Sequence, residues 1–161
     1  MKPRVYVETT IFSYLTAWRS GQLVMAGHQE VTRQWWDDER RHFDLFVSEA
    51  VIEEATAGDP EASQRRLIAL QGIPELQISN NARDLAKSLI EHGQLPKKAS
   101  LDALHIATAT VNGMDYLLTW NCRHIANATI QQSMRRFCED SGYVLPVFCT
   151  PIELTEVPTD E

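Results

Sequence analysis

Apolar residues along this chain come in short blocks separated by polar, helix-permissive stretches. Arg4-Val5-Tyr6-Val7 is brief, β-branched and aromatic, the pattern of a buried strand. Glu8-Thr9-Thr10 ends it, and Thr9 or Thr10 is placed to cap a helix through Ile11-Phe12-Ser13-Tyr14-Leu15. A polar stretch from about Gly27 to Arg41 carries Trp35-Trp36. Asp44-Leu45-Phe46-Val47 predicts a second strand, and Ser48 caps a helix over Glu49 to Ala55 that stops near Gly58-Asp59-Pro60. Glu61 to Gln71 reads as another helix, Glu75 to Ile78 as a third strand, and Arg83 to His92 as a helix capped by Asn80 or Asn81. Ser100 caps a strongly helical run from Leu101 to Ala109, which Asn112-Gly113 closes. Tyr116 to Thr119 is the fourth strand; a helix from Ile130 to Cys138 leads to a last strand, Pro146-Val147-Phe148.

Strands that alternate with helices predict βαβ units, hence an α/β fold with a mainly parallel sheet. One domain is expected over residues 1–154, with an acidic, frayed tail over 155–161. The 43% apolar and 23% charged content is that of a globular protein. No apolar run approaches the roughly 18 residues of a membrane span, and no signal-peptide pattern opens the chain. Three cysteines, Cys122, Cys138 and Cys149, show no CxxC spacing and read as inert thiols in a reducing cytoplasm. The formal charge of −7 supplies no overall basic footprint for nucleic acid, yet net charge says little about local patches. An acidic surplus also suits a protein that gathers carboxylates around divalent cations.

In open α/β sheets ligands collect beyond the carboxyl ends of the strands. The first strand delivers Glu8 there, and the second leads into a helix with Glu49, Glu53 and Glu54. Asp102 stands in the first turn of the helix before the fourth strand, which itself delivers Thr119 and then Asn121. Converging carboxylates repel one another unless a cation neutralises them. Hard oxygen ligands without His or Cys favour Mg2+ or Mn2+ over zinc. Taken singly, Glu8 and Asp102 could equally complement helix N-termini. Glu49 and Glu53 share a solvated face, whereas Glu54 lies about 100° round from Glu53, nearer Ala50 and Val51, and points inward. His105, three residues after Asp102 on an apolar helix, reads as a packed histidine. Trp35-Trp36 suit packing or a dimer interface, and Arg65-Arg66 an exposed helix face.

Three segments carry a family resemblance. VYVETTIFSYL resembles the opening strand and helix of PIN domains, with Glu8 where an Asp is usual. VSEAVIEEATAG is similar to the second PIN motif, in which the acid stands six residues after the Ser; that position is Glu54. ASLDALHIATATVNGMDYLLTWN resembles the third block and places Asp102 on the third acid and Asn121 on the fourth. The match spans residues 4 to 125 and points to the VapC toxin type. It implies a three-layer α/β/α fold and a Mg2+- or Mn2+-dependent endoribonuclease that leaves a 5′-phosphate and a 3′-hydroxyl. Glu8, Glu54, Asp102 and Asn121 would be its metal-binding and catalytic set. It further implies a cytoplasmic homodimer and toxin of a toxin–antitoxin pair, whose antitoxin presents a basic segment to the acidic groove. Thr119, Lys97, Lys98 and Arg123 are candidate substrate contacts, with Thr119 equally readable as an ordinary strand threonine. Asn121 keeps an oxygen ligand but removes a charge. That departure also motivates a different reading: a catalytically retired PIN-fold module that binds RNA or protein without cutting.

Overall fold

A computed structural model describes residues 1–156, so the acidic tail from position 157 lies outside the described residues. Five strands form one sheet: β1 (Arg4–Val7), β2 (Asp44–Ser48), β3 (Glu75–Leu76), β4 (Tyr116–Leu118) and β5 (Val147–Cys149). Their order across the sheet is β3-β2-β1-β4-β5, and every pairing is parallel. Seven α-helices connect them: α1 (Thr9–Thr16), α2 (Leu23–Gln34), α3 (Glu49–Thr56), α4 (Pro60–Leu70), α5 (Asn80–Glu91), α6 (Ser100–Val111) and α7 (Ala128–Asp140). The chain winds outward from β1 to β3, then crosses back to β4 and β5. Right-handed crossovers therefore put α1–α4 on one face of the sheet and α5–α7 on the other, giving three layers. The direction reverses between β1 and β4, and the cleft beyond their carboxyl ends is where such sheets bind ligands.

Burial explains the sheet. Val5, Tyr6, Val7, Leu117 and Leu118 are all fully buried, because β1 and β4 are central strands covered on both faces. β3 is shorter than the expected Glu75 to Ile78, since it is an edge strand with only Val47 and Ser48 as partners. Trp35 and Trp36 belong to the core: Trp35 Nε1 donates to the Leu154 carbonyl at 2.6 Å, and Trp36 meets Phe12 edge-on. α2 begins earlier than the polar stretch indicated and runs into a π-helical turn over Trp35–Glu39.

Several helix starts differ from the expected ones, and for α1 and α5 the reason is an available acceptor one residue further back. Glu8, rather than Thr9 or Thr10, caps α1 by accepting from the Thr10 N–H. Ser79 caps α5 in place of Asn80 or Asn81, and Asn127 caps α7, which begins at Ala128, two residues before Ile130. Ala99, not Ser100, stands at the start of α6, while the Ser100 hydroxyl donates to the Lys97 carbonyl. Asp59 and Pro60, read as a stop, also start α4. Arg65 and Arg66 are half-buried and serve helix ends: Arg65 donates to the Thr16 carbonyl, and Arg66 to the carbonyls of Ala55 and Ala57. Gly113 closes α6 with a positive φ of 69°, as Asn112-Gly113 predicts.

Leu117→Ala would empty a fully buried site at the centre of the sheet. Urea denaturation should show a loss of about 2–5 kcal/mol with an unchanged m-value.

Candidate active site

Strand register builds the centre of the site. Val7 pairs with Leu118, and the Glu8 N–H donates to the Leu118 carbonyl, so Glu8 and Thr119 leave adjacent strands side by side. Both are buried, Glu8 to 4% exposure. A carboxylate removed from water needs replacement donors. Glu8 has them: Oε2 accepts from the Thr10 N–H at 2.9 Å, and Oε1 accepts from the hydroxyls of Thr10 and Thr119. Thr10 and Thr119 in turn accept from the backbone N–H groups of Trp120 and Asn121, which ties the start of α1 to the segment after β4. Among the described residues no Lys or Arg forms an ion pair with Glu8. Its neutral donors and the N-terminus of α1 stabilise the charge without cancelling it.

Glu54, from α3, is the second carboxylate. Glu49 and Glu53 are exposed as their helix face predicts, while Glu54 turns inward. Its Oε1 accepts from the Thr9 hydroxyl at 2.8 Å and from His105 Nε2. Burial pushes this carboxyl up, but the hydrogen bond and charge of His105, with the Thr9 hydroxyl, outweigh it and leave the pKa below its ordinary 4.5. Glu8, Glu54 and His105 each place one ligand atom within 4.8 Å of the others. Hard carboxylate oxygens of this kind suit a divalent cation, so the residues present fit a metal. His105 is buried as the apolar helix predicts, yet it belongs to the site, which its spacing from Asp102 alone did not reveal.

Asp102 lies outside that triplet. Its Oδ2 meets His124 Nδ1 at 3.0 Å, with both side chains partly exposed. Asn121 Oδ1 accepts from the His124 N–H at 3.0 Å, and the Asn121 carbonyl accepts from Ala126 at 2.8 Å. Asn121 thus folds the loop that presents His124 to Asp102. A chain of hydrogen bonds runs from Glu8 through Thr119, Asn121 and His124 to Asp102, and joins the two acidic groups. Lys97 and Lys98 are exposed on the 3-10 turn before α6, and Arg123 is exposed on the loop after Asn121. Cys138 and Cys149 are buried thiols whose pKa values burial raises to about 11 and about 12, the inert behaviour expected of them.

The fold finds its match among solved structures. A chain of the VapBC2 complex of Rickettsia felis, solved bound to a DNA fragment from its promoter, superposes with a TM-score of 0.57 at 15% identity. The alignment covers 91% of this chain and 98% of that one. VapC20 of Mycobacterium tuberculosis, described as a sarcin-ricin loop cleaving toxin, superposes with a TM-score of 0.53 at 16% identity, over 70% of this chain and 86% of its own. This chain has the VapC-type PIN-domain fold. No family model matches the sequence, and no curated protein matches it. In this fold Glu8 and Thr119 stand together at the β1/β4 junction, where the strand order changes direction. Among the described residues no helix is long and apolar enough to cross a membrane.

The depressed Glu54 pKa has a consequence for stability. A carboxyl whose folded pKa lies below its unfolded value stabilises the fold at neutral pH and loses that contribution as pH falls through the folded value. Thermal melts from neutral into acid solution should therefore fall less steeply for Glu54→Gln than for wild type.

Proposed function

We propose that this protein is a metal-dependent endoribonuclease, acting as the toxin of a toxin–antitoxin pair. The observation that carries the reading is the pair Glu8 and Glu54, two inward carboxylates with no Lys or Arg partner among the described residues, at the switch point of a VapC-type PIN fold. The likeness to VapC20, a toxin that cleaves the sarcin-ricin loop, supports RNA as substrate. The likeness to the VapBC2 complex supports an antitoxin partner. Mg2+ or Mn2+ is the cation that carboxylate oxygens favour.

In this reading Glu8 and Glu54 would hold the ion, and Asp102 and Asn121, joined to Glu8 through hydrogen bonds, would complete the catalytic set. The bound ion would polarise the scissile phosphate and acidify the attacking water. Thr119 and Thr10 hold the Glu8 carboxylate in place through their hydroxyls. Lys97, Lys98 and Arg123, all exposed, would contact neighbouring phosphates of the substrate. Water attacks phosphorus, the bond to the 3′-oxygen breaks, and the products are a 5′-phosphate and a 3′-hydroxyl. An antitoxin would block the same cleft with an Arg or Lys set against the carboxylates, replacing the cation's charge by charge-assisted hydrogen bonds. A homodimer in the cytoplasm is part of the same proposal.

Incubation of the purified protein with a mixed single-stranded RNA pool and Mn2+ or Mg2+ tests it. Cleavage is expected from wild type and should be abolished by EDTA, Glu8→Gln and Asp102→Ala. Wild type inert with both metals would refute the nuclease and favour a retired module that binds RNA or protein. The specific observation on that side is Asn121, an amide at an acid's position whose oxygen already accepts from His124.

Asn121→Asp separates the two further. The carboxylate keeps the loop acceptor and restores a negative charge, so half-maximal cleavage should need several-fold less Mn2+ than in wild type. Weaker binding or slower cleavage in Asn121→Asp would remove Asn121 from the cation site.

A further inference from the structure

His105 sits within ligand distance of both carboxylates, but its hydrogen bonds assign it another task. Its ring is 1% exposed, and both nitrogens are engaged. Nδ1 meets the Tyr6 hydroxyl at 2.6 Å, and Nε2 meets Glu54 Oε1. The Tyr6 hydroxyl reaches Ser48 Oγ at 2.8 Å, which is why Ser48 precedes α3 without its side chain capping that helix. Ionised Glu54 can only accept, so Nε2 must carry a proton whether the ring is neutral or charged. In the neutral ring Nδ1 then accepts from Tyr6; in the charged ring it donates to Tyr6. Neither state leaves a lone pair for a cation. Burial also keeps the Tyr6 phenol neutral, far above its ordinary pKa, so the relay holds no competing anion.

The effect falls on Glu54. Thr9 and His105 both donate to Oε1, and no donor reaches Oε2 among the described residues. No buried side-chain oxygen in the described residues lacks a partner, so Oε2 is in contact with solvent at the cleft. We propose that His105, backed by Tyr6 and Ser48, is a positioning residue and not a ligand: it occupies Oε1 so that Glu54 offers a cation Oε2 alone. The inference rests on the cation-binding reading above. One-oxygen coordination suits the tight octahedral shell of Mg2+ or Mn2+, whereas Ca2+ gains from carboxylates that bind through both oxygens. The relay thereby disfavours Ca2+ at a site of otherwise non-selective ligands.

Two measurements on the full chain test this. Ring 15N NMR of wild type should show His105 Nε2 protonated, and still protonated after saturation with Mg2+. Mn2+ and Ca2+ affinities are then compared by titration in wild type, Tyr6→Phe, His105→Gln and His105→Leu, each verified as folded by its melting temperature. His105→Gln, whose amide can still donate to Glu54, should bind Mn2+ within about twofold of wild type. His105→Leu should weaken Mn2+ by about tenfold, the scale of losing a group that orients a ligand, and should narrow the preference over Ca2+. Tyr6→Phe should fall between them. Loss of the Nε2 proton on Mg2+ binding would make His105 a ligand and overturn the proposal. So would His105→Leu with wild-type affinity and selectivity. A wild type that binds neither Mn2+ nor Mg2+ overturns the metal-dependent function itself, and this inference with it.

Discussion

The site depends on holding one carboxylate with fixed donors where water hardly reaches. Glu8 is 4% exposed with no cationic partner among the described residues. Burying an unpaired charge costs several kcal/mol unless fixed dipoles replace the lost solvent. Two threonine hydroxyls, one backbone N–H and the N-terminus of α1 are those dipoles. Each belongs to a segment whose position the β1/β4 register sets, so the chemistry of the cleft and the pairing of the central strands are one arrangement.

That arrangement explains the polar residues around it. Thr10 and Thr119 both donate to Glu8 and accept from the backbone, and this fixes their hydroxyl protons toward the acid. Thr9 and His105 likewise donate to Glu54, from α1 and α6. Polar networks in a low-dielectric setting stabilise when every member is satisfied, and here every buried side-chain polar atom of the described residues has a partner. The outer residues, Asp102, Asn121 and His124, continue the network toward solvent.

Much of the fold was legible because it rests on local pattern. β1 spans the residues its apolar run predicts, β2 and β4 differ from their predicted spans by one residue at an end, and β5 is shifted by one residue. Glu54 was distinguishable from Glu49 and Glu53 by helix geometry alone. What sequence could not supply were contacts between distant segments. Thr119 reads as an ordinary strand threonine until β4 is laid beside β1 and its hydroxyl meets Glu8. His105 reads as packing until Glu54 arrives from α3. Asn121 reads as a displaced acid, although its side chain also folds the loop that holds His124. Arg65 and Arg66 look solvated until the ends of α1 and α3 are placed beneath them.

The strand order carries a consequence for the birth of the protein. Glu8 and Thr119 touch across 111 positions of chain, and Glu54 and His105 across 51. Contacts of such long range form late, because the loops between them must close first. A chain growing from the ribosome exposes Glu8 long before β4 exists to pair with β1. Until residue 119 has emerged, Glu8 lacks the neighbour that holds it, and no cleft is present. The assembled site is therefore a property of a chain that already includes β4, and a fragment arrested before β4 lacks it.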